Sequence, residues 1–269
     1  MLLSVNPAGG NTERQSPANN PSLRGFDVID AAKAAVERSC PRTVSCADIL
    51  AFAARDSVNL TGKLFYQVPA EQWDGCVCNE MEANNNLLGP DSTTEVPING
   101  FRKKNLSIED MVVLSGSHTI GRSHCFSFLA TNRRRLANGT ISAAYQALLE
   151  ALCPPSPGQF DPNTTEIDVS TPAVLDNNYY KLLPLNLGLH FSDDQLIRNA
   201  TLAPFANAFA ANEMLWKQKF TAAMIKMGNI EVKTGTTDEI RLNYSIPTSS
   251  SSAAGVIEML FPADEVATS

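Results

Sequence analysis

The residue of this sequence with the clearest chemical potential is a histidine set among small side chains. His118 lies in the segment LSGSHTIGRSHC, where its small neighbours are Ser115, Gly116, Ser117 and Gly121. An imidazole nitrogen is a good ligand for iron, and small neighbours would let a flat cofactor approach closely. The alternative is a core histidine hydrogen-bonded to a backbone carbonyl, and local spacing alone favours that alternative.

The element that would position His118 is a helix. Ser107 and Asp110 have the spacing of a capping box before IEDMVVLS, and the acidic residues at 109 and 110 suit the positive end of a helix. His118 is therefore predicted to follow the end of a capped helix.

Amphipathic patterning predicts further helices along the chain. One runs from Phe26 to about Arg38, and a second follows Ser45 in CADILAFAARDSVNL. Near the end, apolar residues recur at helical spacing until Gly228 and are Trp216, Phe220, Met224 and Met227. Residues 73–100 are rich in Asn, Gly, Asp and Pro and are expected to form a loop with one short helix. Because few runs alternate as strands do, the chain is predicted to consist of helices joined by long polar loops.

Composition excludes several classes of function. The 269 residues have 43% hydrophobic and 18% charged side chains, as globular proteins do. The formal charge of -7 gives no positive field for a phosphate backbone, so nucleic acid is not an expected partner. No apolar stretch approaches the ~20 residues of a membrane helix, and we expect no membrane association. The start, MLLSVNPAGG, lacks the pattern of a signal peptide.

Cysteines and glycosylation acceptors favour a secretory history. The six cysteines are unevenly spaced, and only Cys76-Val77-Cys78 forms a tight pair, so disulfides are a better interpretation than a zinc site. Asn-x-Ser/Thr triplets begin at Asn59, Asn105, Asn138, Asn163, Asn199 and Asn243.

Several long segments, in one order, resemble the secretory plant haem peroxidases. They are SLRGFDVIDAAKAAVERSCPRTVSCADILAFAARDSVNLTG, LSIEDMVVLSGSHTIGRSHC, IDVSTPAVLDNNYYKLL, GLHFSDDQL and AAMIKMGNIEVKTGTTDEIRLN, and the resemblance covers about residues 10 to 244. It implies an all-α fold of two halves that clasp haem b, with hydrogen peroxide as substrate and small phenolic compounds as electron donors. By this resemblance the protein would serve hydrogen peroxide removal and the response to oxidative stress.

The resemblance also implies roles for individual residues around the haem. His118 is similar to the axial ligand of the iron, and Asp193 to the carboxylate that accepts the other ring N–H and raises the basicity of the imidazole. Asp194, next to it, is the rival assignment. His124 and His190 match no ligand position and are interpreted as structural or exposed.

A calcium site is implied by the same resemblance. The oxygen donors are the side chains of Thr119, Asp168, Thr171 and Asp176 and the carbonyl of Val174. Hydroxyl, carboxylate and carbonyl oxygens are the ligands that calcium prefers. Taken alone, DVSTPAVLD is more typical of a turn.

The sequence departs from the family pattern at the distal face, where peroxide would react. The family's distal histidine and arginine precede the region that resembles GNTERQSPANNPSLRGF, so we expect them to be absent from these 269 residues, although Glu13 and Asn19 match the residues that would orient the histidine. General acid–base help and charge stabilisation are each worth roughly 10²-fold or more, so slow peroxide reduction is expected. The segment from Glu71 to Gly75 and Leu88 also differ from the family, which weakens the expected donor site.

One disulfide is implied by the resemblance, between Cys125 and Cys153. The family partner of Cys40 would lie in the missing N-terminal part, and that of Cys46 would lie where this chain has Tyr244. The pairing of Cys40, Cys46, Cys76 and Cys78 therefore stays open.

Together these observations predict a haem peroxidase-like domain over residues 1–244, with a haem-peroxidase fold that lacks its first helices, and a flexible, disordered tail over residues 245–269. The expected function is peroxide-dependent oxidation by a monomer that is secreted or vacuolar. The alternative is a peroxidase-like protein that binds haem or calcium without catalysis, or a gene-model fragment.

Overall fold

The computed structural model describes residues 2–234 and 238–248, and helices dominate them. The helices are α1 (Phe26–Ser39), α2 (Cys46–Gly62), α3 (Glu80–Asn86), α4 (Glu95–Lys103), α5 (Ile108–Ser115), α6 (Cys125–Ala137), α7 (Ala143–Leu152), α8 (Asn178–Leu182), α9 (Phe191–Arg198), α10 (Ala203–Ala211) and α11 (Glu213–Gly228). Two short strands, β1 (Arg122–His124) and β2 (Thr164–Glu166), pair antiparallel, with Ser123 opposite Thr165. The predicted all-α class is confirmed.

The helices predicted by capping and by apolar spacing are present. At α5 the Ser107 hydroxyl accepts from the Asp110 N–H at 3.0 Å, and the Asp110 carboxylate accepts from the Ser107 N–H at 2.9 Å, which completes the capping box. Helix α11 buries Trp216 and Phe220 and ends at Gly228, as predicted. At α2 only the first half of such a box forms: the Ser45 hydroxyl accepts from the Asp48 N–H.

The prediction of one short helix within residues 73–100 was wrong, because two helices, α3 and α4, occur in this stretch. Ile98 and Phe101 are three residues apart on α4 and pack against the buried core. Gly100 lowered the helical signal, and its lack of a side chain suits close packing, because a Cβ at this position would lie 3.0 Å from Leu88 Cδ2. Packing therefore overrides the weak helix propensity of glycine.

The chain divides into two compact units, and the division falls within α2. The first unit contains residues 1–52, 70–85 and 232–269. Its small apolar cluster is Leu2, Ile29, Cys46 and Ile49. Beside this cluster the buried carboxylate of Asp74 accepts hydrogen bonds from the backbone N–H groups of Cys46, Ala47 and Arg241. These backbone donors replace the hydrogen bonds from water that the carboxylate lost when it was buried on folding.

The second unit contains residues 53–69 and 86–231 and the larger core. Trp216, Tyr179, Tyr180 and Phe128 are fully buried there. Lys226 of α11 also forms an ion pair with Asp110 of α5 at 2.8 Å. This unit holds every residue predicted for the iron and calcium sites.

The predicted tail lies mostly outside the described residues, from residue 249 onward. At the first residue of the predicted tail, the Ser245 carbonyl accepts from the Ser4 N–H at 2.8 Å. Within the described ranges, none of the helices has the length and apolar character needed to cross a membrane.

Candidate functional site

Two elements of the second unit bring His118 and Asp193 together. Helix α5 ends at Ser115 and continues into a 3-10 turn, Gly116–Thr119, that carries His118, while Asp193 lies in the first turn of α9. Nδ1 of His118 is 2.7 Å from Oδ2 of Asp193. An ionised carboxylate can only accept, so Nδ1 donates its proton. In the neutral ring the lone pair is then on Nε2, which is the arrangement a metal ligand needs.

Electrostatics reinforce this hydrogen bond. Burial lowers the pKa of His118, but the charge and hydrogen bond of Asp193 outweigh burial, so the pKa lies above the ordinary 6.5. Burial raises the pKa of Asp193, but His118 outweighs it, and the pKa lies below the ordinary 3.8. Each partner therefore stabilises the charged form of the other.

Asp194 does not contact His118 and has different partners. Its carboxylate accepts from Nε of Arg198 at 2.6 Å and lies 3.4 Å from the buried guanidinium of Arg135. Asp194 is thus paired with the two arginines, and His118 forms its hydrogen bond with Asp193. The contact with His118 is therefore made by Asp193, the residue that the resemblance favoured, and not by its rival Asp194.

His118 lines a cavity of about 370 Å³ in the second unit. This volume lies within the range of ~300–1,000 Å³ that is usual for small-molecule sites. Its apolar walls include Leu88, Pro90, Pro97, Phe101, Met111, Leu114, Leu196, Leu202, Met224 and Met227, and its polar groups include Ser115, Ser117, His118, His190 and Asp193. The imidazoles of both His118 and His190 line the cavity, and its largely apolar walls together with the His118 ring suit one face of a flat, apolar metal macrocycle.

The small residues beside His118 do not all serve the cavity. Ser115 and Ser117 line it, as predicted. Gly116 instead permits close packing inside the core, because a Cβ there would lie 2.5 Å from Nε1 of Trp216 and 2.5 Å from Oη of Tyr180. Gly121 has φ of +105°, so it shapes the turn that leaves the 3-10 helix.

Two residues next to His118 were not found from the sequence. Tyr179 is fully buried on α8, and its hydroxyl donates to Oδ2 of Asp193 at 2.8 Å. His190, interpreted as structural or exposed, is buried, with its ring centroid 5.3 Å from that of His118. Burial lowers the pKa of His190 to about 4, with a further contribution from His118, so the ring is neutral at physiological pH.

The third histidine, His124, is buried elsewhere, and its Nδ1 is 3.1 Å from the Asp161 carbonyl.

The residues predicted to bind calcium converge on one hydroxyl. Oγ1 of Thr119 lies 3.4 Å from Oδ2 of Asp168, 3.3 Å from the Val174 carbonyl and 3.1 Å from Oδ1 of Asp176. Thr171 Oγ1 is 3.3 Å from the same Asp176 oxygen.

This convergence fits a cation. A single hydroxyl proton can satisfy only one of the three acceptors around Thr119, and two of them are carboxylates, which repel each other. Across the described ranges no group of three His, Cys, Asp or Glu side chains could hold a metal. A cation here would therefore depend on the neutral oxygens as well as on the two carboxylates, as calcium sites do.

The structure also shows the state of the six cysteines and the contact between Glu13 and Asn19, the two residues that match the family's distal side. Cys125 and Cys153 form the disulfide implied by the resemblance, whereas Cys40, Cys46, Cys76 and Cys78 are free thiols. No disulfide therefore joins any two of these four cysteines. Asn19 donates to the Glu13 carbonyl at 2.7 Å.

Comparisons with known proteins show which family the chain resembles in sequence. The family described as Peroxidase matches residues 1–212. Peroxidase 1 of Zea mays is 57% identical over 253 residues, which cover 91% of this chain and 69% of the relative. Peroxidase 5 of Vitis vinifera is 44% identical over 255 residues, which cover 91% of this chain and 75% of the relative. Peroxidase 2 of Zea mays is 40% identical, and the match covers 90% of this chain and 72% of that protein.

Proposed function

This chain belongs to the class III plant peroxidases, and from that membership we propose that it binds haem b through His118 and oxidises small phenolic donors with hydrogen peroxide. The family implies haem and hydrogen peroxide in general terms. The observation that carries the proposal for this chain is the hydrogen bond between His118 and Asp193 at the wall of an apolar cavity.

The residues of the cavity have separate tasks in this proposal. Haem, when bound, supplies the redox-active iron at which peroxide is reduced. Asp193 holds the proton on Nδ1 of His118, so that Nε2 presents its lone pair to the metal and the ring keeps one orientation. Leu114, Leu202 and Met224 keep water from this face, which strengthens the electrostatic effect of Asp193.

Calcium is proposed as a second bound metal, held by Thr119, Asp168, Thr171, Val174 and Asp176. Thr119 directly follows His118, so the ion would fix the 3-10 turn that presents the imidazole. Further proposals from the family are a monomer with one peroxidase-like domain over residues 1–244 and a secreted or vacuolar location.

The test is peroxide-dependent oxidation of a phenolic donor by the haem-loaded chain. We expect turnover above that of the same concentration of free hemin, and we expect His118→Gln to lose it. The matched variant His124→Gln removes the histidine bonded to Asp161 and should keep it. Turnover no faster than free hemin, in a chain that binds haem, would instead support the alternative of a haem-binding protein without catalysis.

A further inference from the structure

We infer that Tyr179 is a positioning residue that moderates the pull of Asp193 on the ring proton of His118, and thereby sets how much electron density His118 gives to iron. The inference rests on the proposed haem site. Its basis is a single carboxylate oxygen: Oδ2 of Asp193 accepts from Nδ1 of His118 at 2.7 Å and from Oη of Tyr179 at 2.8 Å.

The environment of Tyr179 holds its hydroxyl in this bond. The side chain is fully buried on α8, and its ring meets the ring of His118 edge-on, with centroids 6.0 Å apart and planes at 86°. A buried hydroxyl must donate to a protein acceptor because water is out of reach. Asp193, itself only 3% exposed, provides that acceptor.

The two donors share one negative charge. A hydrogen bond to a carboxylate stabilises its charged form and so weakens its attraction for any other proton. The Tyr179 bond therefore reduces the share of the His118 proton that Asp193 can draw toward itself. Without the Tyr179 hydroxyl, the charge on Oδ2 would act on His118 alone, the ring would become more imidazolate-like, and Nε2 would be a stronger donor to iron.

The next residue offers a matched control. Tyr180 is buried equally well, but its hydroxyl donates to the backbone carbonyl of Val112 at 2.7 Å, not to Asp193. Tyrosine to phenylalanine at either position removes one buried hydroxyl from α8. Both variants should lose some thermal stability, and only Tyr179→Phe should change the His118–Asp193 pair.

The first measurement uses the apo chain and proton NMR of the His118 Nδ1–H. We expect Tyr179→Phe to move this resonance downfield, because the bond to Asp193 becomes stronger, and Tyr180→Phe to leave it in place. An unchanged resonance in a folded Tyr179→Phe variant would show that the two donors do not compete, and the inference would be wrong.

The second measurement uses the hemin-loaded chain, reduced to the ferrous state, and resonance Raman detection of the iron–histidine stretch. We expect Tyr179→Phe to raise the frequency of the iron–histidine stretch. We also expect the variant to favour the ferric over the ferrous form by on the order of tenfold, which is the effect of about one unit of carboxylate basicity. For the one-electron ferric/ferrous couple, a tenfold change corresponds to a reduction potential lower by about 59 mV.

The outcomes separate the two claims. A wild-type chain without an iron–histidine band contradicts the proposed haem function. A wild-type band that Tyr179→Phe leaves unmoved, with an unchanged potential, contradicts the inference about Tyr179 and leaves the haem function intact.

Discussion

Asp193 and Asp194 are adjacent on α9 and bind different groups. Neighbouring residues of a helix point about 100° apart, so Asp193 faces His118 and Tyr179 while Asp194 faces Arg135 and Arg198. One carboxylate therefore belongs to the candidate iron site, and the other stabilises the second unit.

This division predicts that two conservative variants affect different properties of the chain. Asp193→Asn should weaken the iron–histidine bond of the haem-loaded chain, because an amide cannot draw the Nδ1 proton as a carboxylate does. Asp194→Asn should leave that bond unchanged but lower the free energy of unfolding by about 3–5 kcal/mol, since it leaves buried Arg135 without its charge partner. Resonance Raman spectra and denaturant titration of both variants test this, and the reverse pattern would make Asp194 the partner of His118.

Sequence reasoning found part of this site and missed the rest for a physical reason. His118 and Asp193 were predicted as site residues because each lies in a long segment with a family pattern. Tyr179 and His190 lie in segments of the same pattern, but nothing in those segments marks their contacts with Asp193 and His118, which only the folded chain creates. The cavity walls likewise come from side chains on α4, α5, α9 and α11, which no single segment reveals.

At the scale of elements, α5 carries the 3-10 turn of His118 and is fixed at its start. Asp110 accepts from the Ser107 N–H and forms an ion pair with Lys226 of α11. Burial raises the pKa of Asp110, but Lys226 and Ser107 together outweigh burial, so the pKa lies below its ordinary value. The charged form of Asp110 therefore stabilises the folded state.

Asp110→Asn should consequently destabilise the chain by about 1–2 kcal/mol at pH 7, because it removes the ion pair with Lys226 and the negative charge that strengthens the hydrogen bond from the Ser107 N–H. Because the folded pKa is depressed, this contribution is present above the unfolded value of about 3.9 and is lost as the pH falls through the folded value. Thermal unfolding of wild type and variant should therefore differ at pH 7, and the difference should shrink once the pH falls below the unfolded value and disappear below the folded value. Glu109→Gln, which breaks a more exposed pair with Lys219, is the control and should have a smaller effect. A difference that persists unchanged at low pH would contradict this role.

The helices differ in how well sequence predicted them. Helix α5 and helix α11 were predicted because caps and apolar spacing agree with their packing. Helix α4 was missed because Gly100 and Asn99 lower its intrinsic propensity, while the contacts that stabilise it, through Ile98 and Phe101, are tertiary.

At the scale of the whole molecule, bound metal should contribute to stability. Two carboxylates converge on the Thr119 hydroxyl, and this arrangement is repulsive without a cation. A ligand that binds only the folded state stabilises it, by about 4 kcal/mol when its free concentration is a thousandfold above Kd.

A calcium chelator should therefore lower the melting temperature of the folded chain, and added calcium should restore it. Asp176→Asn should remove this response, while Asp161→Asn, which changes a carboxylate outside the cluster, should keep it. A melting curve that the chelator leaves unchanged in wild type would show that the cluster holds no calcium.

The central claim is that His118 is the residue through which this chain holds haem. The most direct measurement is titration of the folded apo chain with hemin, followed by the Soret absorbance. We predict saturation at one haem per chain in wild type and in His124→Gln, loss of that spectrum in folded His118→Gln, and its partial return when imidazole is added to the variant. A folded His118→Gln chain that binds hemin with the affinity and the spectrum of wild type would contradict the claim.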